Sequence, residues 1–171
     1  FLSTLRLIDG GNSKGNFRNF NLAINVNDEL NNVVANRELL DKHYNLPSSP
    51  KWINQTHSSI CVDASSISLS IEADASYSIK PGVVCGVLTA DCLPVFVSNK
   101  KGTIVGIAHA GWRGLVGGVI ESLLESMNCN GNDLLVHLGP AISKSSFEVG
   151  GEVKSKYLSK NKRFERSFTK D

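Results

Sequence analysis

The chain has 171 residues, 41% of them hydrophobic and 20% charged, with a formal net charge of +2. That length suits one domain with a sizeable core, and the balance excludes a disordered, collagen-like or coiled-coil chain. No apolar run approaches the ~20 residues that cross a bilayer, and so small a net charge gives no reason to expect nucleic-acid or membrane partners.

The opening stretch FLSTLRLIDGG is too short and polar for a secretory signal, and the Gly/Asn-rich residues 10–16 read as a loop. Residues 21–26 alternate apolar and polar side chains, which predicts a strand. A helix is predicted over 28–43. Asn27 or Asp28 caps it, acids crowd its start, Leu30, Val33 and Val34 share a face, and Pro47 and Pro50 follow its end. Residues 52–55 and 60–62 read as short strands on either side of Thr56-His57-Ser58, and residues 63–80, mostly Ser, Ala and Asp, as loop. The near-continuous apolar run 83–88 predicts a strand buried on both faces. Residues 94–97 and 103–109 predict two more strands, joined by a turn over 98–102. Leu115, Val116, Val119, Ile120, Leu123, Leu124 and Met127 form one apolar stripe, the strongest helix signal in the chain, ending near Asn128-Cys129-Asn130-Gly131 with Gly131 as a suitable cap. Residues 134–138 are a last strand, stopped by Gly139-Pro140. Mixed strands and helices with hairpin-like turns make the predicted class α+β.

Charge is unevenly spread. Residues 152–171 hold seven basic and three acidic side chains, net +4, against 11 basic and 13 acidic elsewhere, net −2. The tail lacks the aromatic stacking pattern of single-strand binders and is expected to be a solvated face. Cys61, Cys85, Cys92 and Cys129 include no CxxC pair and read as reduced thiols of a cytoplasmic protein.

Three segments place polar groups at the ends of apolar strands: 54–57, 89–94 and 108–114. Each carries one metal-ligand type, His57, Cys92 and His109. Two imidazoles and a thiolate suit Zn²⁺, and three protein ligands leave a fourth tetrahedral position open. The gaps of 35 and 17 residues match no local metal motif, so spacing alone leaves open a buried thiol and two hydrogen-bonded histidines.

The segments Asn54-Gln55-Thr56-His57, Thr89-Ala90-Asp91-Cys92-Leu93-Pro94, Ala108-His109-Ala110-Gly111-Trp112-Arg113-Gly114 and Leu138-Gly139-Pro140-Ala141-Ile142, ending in Phe147-Glu148-Val149-Gly150, resemble one family in identity and order. It is the multicopper polyphenol oxidase, or laccase-domain, family, described as purine nucleoside phosphorylases and including the bacterial peptidoglycan editing factor. Gly10-Gly11-Asn12-Ser13, Asn21-Leu22, Asn36-Arg37 and Glu72-Ala73-Asp74-Ala75 extend the resemblance over essentially the whole chain.

The resemblance implies that His57, Cys92 and His109 hold one zinc ion, in a layered α/β/β/α sandwich with mixed sheets. Copper oxidase chemistry is not expected, because a multicopper site needs many histidines and the chain has four. Ser58 stands where the family usually has Gly, and Ser143-Lys144-Ser145-Ser146 where Gly-Pro-Cys-Cys is common. Family members continue with a further strand-and-helix segment and an Arg-rich motif. Since the chain also begins at Phe1 and has Met127 as its only methionine, residues 1–171 are expected to be one domain truncated at both ends.

The implied activity is zinc-dependent phosphorolysis of adenosine, inosine, guanosine or methylthioadenosine, with deamination of adenosine to inosine. Purine nucleosides and phosphate are the partners; the oligomeric state is open. The alternatives are a zinc amidase of the peptidoglycan-editing kind, or an inactive zinc-stabilised fragment. Arg113 is a candidate for holding phosphate or another anion on the substrate, with a structural ion pair as the competing role. Asp74 is a candidate acid/base or ligand-orienting carboxylate, and Asp91 is expected to be structural. Asn21 and Gln55 are candidates for bonding sugar or base. His43 and His137, with Cys61, Cys85 and Cys129, are expected to stand outside the chemistry.

Overall fold

The computed structural model describes residues 10–17 and 20–168. Most of the opening stretch, with Lys170 and Asp171 of the basic tail, lies outside the described residues. Among the described residues there are seven strands: β1 (Lys51–Trp52), β2 (Cys61–Asp63), β3 (Ala75–Ser78), β4 (Cys85–Gly86), β5 (Leu93–Asn99), β6 (Val105–Ala110) and β7 (Leu134–Leu138). The α-helices among the same residues are α1 (Leu30–His43), α2 (Trp112–Gly117), α3 (Val119–Met127) and α4 (Gly151–Lys160). The fold is α+β with mixed sheets, as expected.

The main sheet has the order β2-β3-β6-β5-β7, parallel between β2 and β3 and antiparallel elsewhere. Its two faces are set by period-two alternation. On one face Ala75, Val95, Val97, Ala108 and Ala110 meet Val119, Leu123 and Met127 of α3 in the main core. Small residues let the helix approach closely: a Cβ on Gly106 would sit 2.8 Å from Leu123 Cδ1. The other face carries Ser76, Ile107 and His109. Ser76 lies beside the Cys85 thiol of β4, which pairs in parallel with β1. Beyond β1, Arg37 of α1 stacks over the Trp52 ring at 4.7 Å.

Several expectations change. Residues 21–26 form no strand, because the Asn21 side chain satisfies the local backbone: its amide oxygen accepts from Ala23 N–H, and its amide nitrogen donates to the Ala23 carbonyl and to Asp28. Helix α1 is capped at Glu29 rather than Asn27 or Asp28, since the Asp28 carboxylate is taken by Ser13, Asn21 and the Glu29 N–H. Its buried face is Val33, Asn36 and Leu40, with Leu30 and Val34 exposed. Asn36 earns a core position by bonding Asn12, Ser13 and Asn21. The 63–80 segment is not all loop: β3 lies within it and is central to the sheet. The 83–88 run pairs only over Cys85–Gly86, because its partner β1 is equally short. The long apolar stripe is two helices, broken at Gly118 with φ +93°. That turn is open to glycine at little cost. Asn128, in the left-handed region, ends α3 instead of Gly131.

The basic C-terminal stretch is not a bare tail. It forms α4 and a 3-10 turn, Lys162–Ser167, and the Tyr157 hydroxyl donates to the Trp112 carbonyl at 3.2 Å. No helix among the described residues is long and apolar enough to cross a membrane.

Candidate metal centre

The sheet delivers three ligand types to one point. His109 is the penultimate residue of β6, 5% exposed, on the face away from α3. Cys92 sits in the turn just before β5, which pairs with β6 at Leu93↔Ala110 and Pro94↔His109. His57 comes from the loop between β1 and β2, where it adopts φ +60°. A left-handed backbone is unfavourable for histidine, and such conformations persist where surrounding contacts over-determine them. One ligand atom from each of His57, Cys92 and His109 lies within 4.8 Å of the others. The two imidazole rings meet edge-on, with centroids 4.9 Å apart.

Asp74 lies behind them, fully buried. One carboxylate oxygen accepts from His109 Nδ1 at 2.8 Å. The other accepts from the Thr56 N–H at 3.1 Å, the Ser58 N–H at 2.6 Å and the Ser58 hydroxyl at 2.8 Å. Burial by itself raises the Asp74 pKa, but the donors His109, Ser58 and Thr56 outweigh it and hold the carboxyl below its ordinary value. Cys92 is pushed the other way: burial first, then the charges of Asp91 and Asp74, raise its thiol pKa. A cation at the site reverses that preference, because a coordinating thiol is deprotonated.

Gly111 completes the cradle. A Cβ there would stand 3.0 Å from Cys92 Sγ, 3.1 Å from His57 Cδ2 and 3.6 Å from His109 Cε1. The Gly111 backbone is in an ordinary extended conformation, so the residue serves by leaving room. The donor set and the space kept open at Gly111 both fit a metal ion.

The other predicted site residues are distributed differently. Gln55 clamps the Leu88 backbone, its amide donating to the carbonyl and accepting from the N–H, both at 2.7 Å. Asn21 is engaged with Ala23 and Asp28. Arg113, on the first turn of α2, is exposed and stacks on Trp112 at 4.3 Å from the ring centroid. Lys156 stands over the same ring at 5.4 Å. Among the described residues Arg113 makes no ion pair with an acid. A cleft of about 1130 Å³ runs from Trp112 past residues 142–151 to Tyr157, Phe164 and Phe168, and none of the three metal-ligand residues lines it. We therefore take the side-chain cluster, not the cleft, as the chemical centre. His43 and His137 pack beside Tyr44 and Phe96, outside the cluster.

Two participants had no role assigned from sequence. Ser58 was visible only as a departure from the family pattern, yet it gives Asp74 two hydrogen bonds. Gly111 lay within a quoted motif with nothing to mark it as facing the ligands. The one available signal was Asp74 itself, an acid between two alanines in a small-residue segment, since a buried charge demands partners.

A family model described as multi-copper polyphenol oxidoreductase laccase matches residues 3–171. Among curated relatives, a purine nucleoside phosphorylase of Pseudomonas aeruginosa is 44% identical over 149 residues, covering 87% of this chain and 60% of that protein. The purine nucleoside phosphorylase YfiH of Escherichia coli is 44% identical over 150 residues, covering 87% and 62%. A Neisseria meningitidis crystal structure superposes with a TM-score of 0.89 at 38% identity, covering 94% of this chain and 66% of that one. YlmD from Geobacillus stearothermophilus gives 0.77 at 27% identity, covering 88% and 61%. The chain thus spans about three fifths of the length of these two curated relatives. It belongs to the multi-copper polyphenol oxidoreductase laccase family.

Proposed function

We propose that this chain carries the zinc site of a purine nucleoside phosphorylase acting on adenosine, inosine, guanosine or methylthioadenosine, with adenosine deamination as a second activity. The observation that carries the reading is the convergence of His57, Cys92 and His109 within 4.8 Å. It is supported by relatives 44% identical that are named purine nucleoside phosphorylases. Zinc is the metal we assign: one thiolate and two imidazoles suit it, and the chain's four histidines are too few for a multicopper oxidase.

Held by His57, Cys92 and His109, a zinc ion would supply Lewis acidity to a bound oxygen or nitrogen. The chain's own residues do the rest. His57, Cys92 and His109 fix where the substrate atom can sit, and Gly111 leaves room for those three side chains to converge. In phosphorolysis a phosphate oxygen forms a bond to the ribose C1′ as the C1′–N bond to the base breaks; the base leaves with the electron pair and takes a proton. Arg113 is the group we assign to phosphate. Its guanidinium is free of acidic partners among the described residues, it stands on the first turn of the helix that follows Gly111, and it stacks on Trp112.

The test is zinc-loaded protein with adenosine or inosine, with and without phosphate. The proposal expects free base and ribose 1-phosphate only when phosphate is present, and inosine from adenosine without it. Zinc-loaded protein that releases no base with phosphate contradicts the phosphorylase reading; adenosine unchanged in its absence removes the deaminase.

A further inference from the structure

We infer that Asp74 is a positioning residue that sets both histidine ligands at once. This deepens the zinc reading above and rests on it. A carboxylate can only accept hydrogen bonds. Its 2.8 Å contact with His109 Nδ1 therefore places the proton on Nδ1 and leaves Nε2 with the lone pair a metal needs. The second oxygen works on His57 from a distance. It gathers the N–H groups of Thr56 and Ser58, the residues on either side of His57, together with the Ser58 hydroxyl. Those bonds close the loop around a histidine that stands at φ +60°.

The main chain of Asp74 locks the same assembly. Its carbonyl accepts from the His109 N–H at 2.7 Å, and its own N–H donates to the Ile60 carbonyl at 3.0 Å. One fully buried residue thus ties strand β6 to the His57 loop. No other residue among the described ones bonds both segments through its side chain. Asparagine at this place has the same shape, but only one of its two terminal atoms accepts. It must present an NH₂ either to His109, forcing the other tautomer, or to the donors of Thr56 and Ser58.

The experiment measures zinc affinity by chelator competition for the wild type, Asp74→Asn and Ser58→Ala. Isotope-edited NMR of the metal-free proteins reports the His109 tautomer, and the cobalt-substituted proteins report ligand geometry by absorption. Asp74→Asn is expected to weaken zinc about 10- to 100-fold. With its NH₂ on His109 it should also shift the Nδ1–H tautomer, and in either orientation it should change the cobalt d–d bands while the Cys92 thiolate band persists. A merely structural role lowers stability and leaves the tautomer of the folded protein alone. Ser58→Ala removes one of the four bonds and should cost about threefold to tenfold in affinity. If Asp74→Asn does not fold, Ser58→Ala decides: the loss supports the proposal, and wild-type affinity overturns it. An Asp74→Asn protein with wild-type affinity and an unchanged tautomer also overturns it. Because no nucleoside enters these measurements, failure of the phosphorylase reading remains separate.

Discussion

Gly111→Ala tests the metal centre without touching a ligand. The Gly111 backbone, at φ −66° and ψ 160°, accepts any L-residue, so backbone strain does not enter. What enters is space. The new Cβ would lie 3.0 Å from Cys92 Sγ and 3.1 Å from His57 Cδ2, whereas carbon contacts are comfortable near ~3.5–4.0 Å. The ligands must therefore retreat by roughly half an ångström, and metal sites tolerate only about 0.2 Å. Overpacking of this size costs ~1–3 kcal/mol, which placed on the metal-bound state is about a 5- to 150-fold loss of zinc affinity. Metal-free protein can relax, because both side chains are then free to turn, so its denaturant midpoint should move little. Gly117→Ala is the control: its Cβ meets Ser59 Cβ at an ordinary 3.6 Å, and zinc affinity should be unchanged. Gly111→Ala protein that binds zinc as tightly as the wild type would refute the placement of these three residues around one ion.

Three further outcomes follow from the fold. Leu123→Ala, at a fully buried position in the main core, should cost ~2–5 kcal/mol in urea unfolding, and a loss within experimental error would deny that α3 seals the sheet. Cys85 has its thiol pKa raised to about 11, chiefly by burial, so only about three thiols in ten thousand are ionised near pH 7.5. Native-state alkylation there should be slow and should accelerate toward alkaline pH; rapid labelling at neutral pH would contradict the packing of β4. The Asp28 carboxyl is held below its ordinary value by Asn21, then Ser13, then the Glu29 N–H. Its folded pKa is the lower one, so its contribution is present above the unfolded value and is lost as pH falls through the folded value. The stability gap between wild type and Asp28→Asn should therefore close on acidification, and a gap that widens would show the sign to be wrong.

How far the sequence reached depended on which force shaped each segment. Strands β5, β6 and β7 announced themselves because they are apolar runs between turn residues. β3 was hidden because its Ala-Ser-Tyr-Ser sequence carries little hydrophobicity. It is chosen for small size, so that α3 can pack on Ala75 while Ser76 fits beneath Cys85. The 21–26 alternation misled because the bonds of Asn21 are local and cannot be read from polarity alone. Likewise one apolar stripe runs unbroken across Gly118, since periodicity records burial and not the turn between α2 and α3. The metal trio was legible only through resemblance to a family. Gaps of 35 and 17 residues acquire meaning once β5 and β6 pair and bring Cys92 beside His109. The Asp74 network and the space at Gly111 depend on distances between segments, and no spacing rule along the chain encodes them.

The most direct test of the account is the metal content of purified protein, by mass spectrometry under native conditions, for the wild type and for Cys92→Ser. One zinc per wild-type chain, lost in Cys92→Ser while the fold persists by circular dichroism, is the predicted result. A wild-type chain that takes up no zinc when it is supplied, or a Cys92→Ser chain that holds it undiminished, would contradict the site.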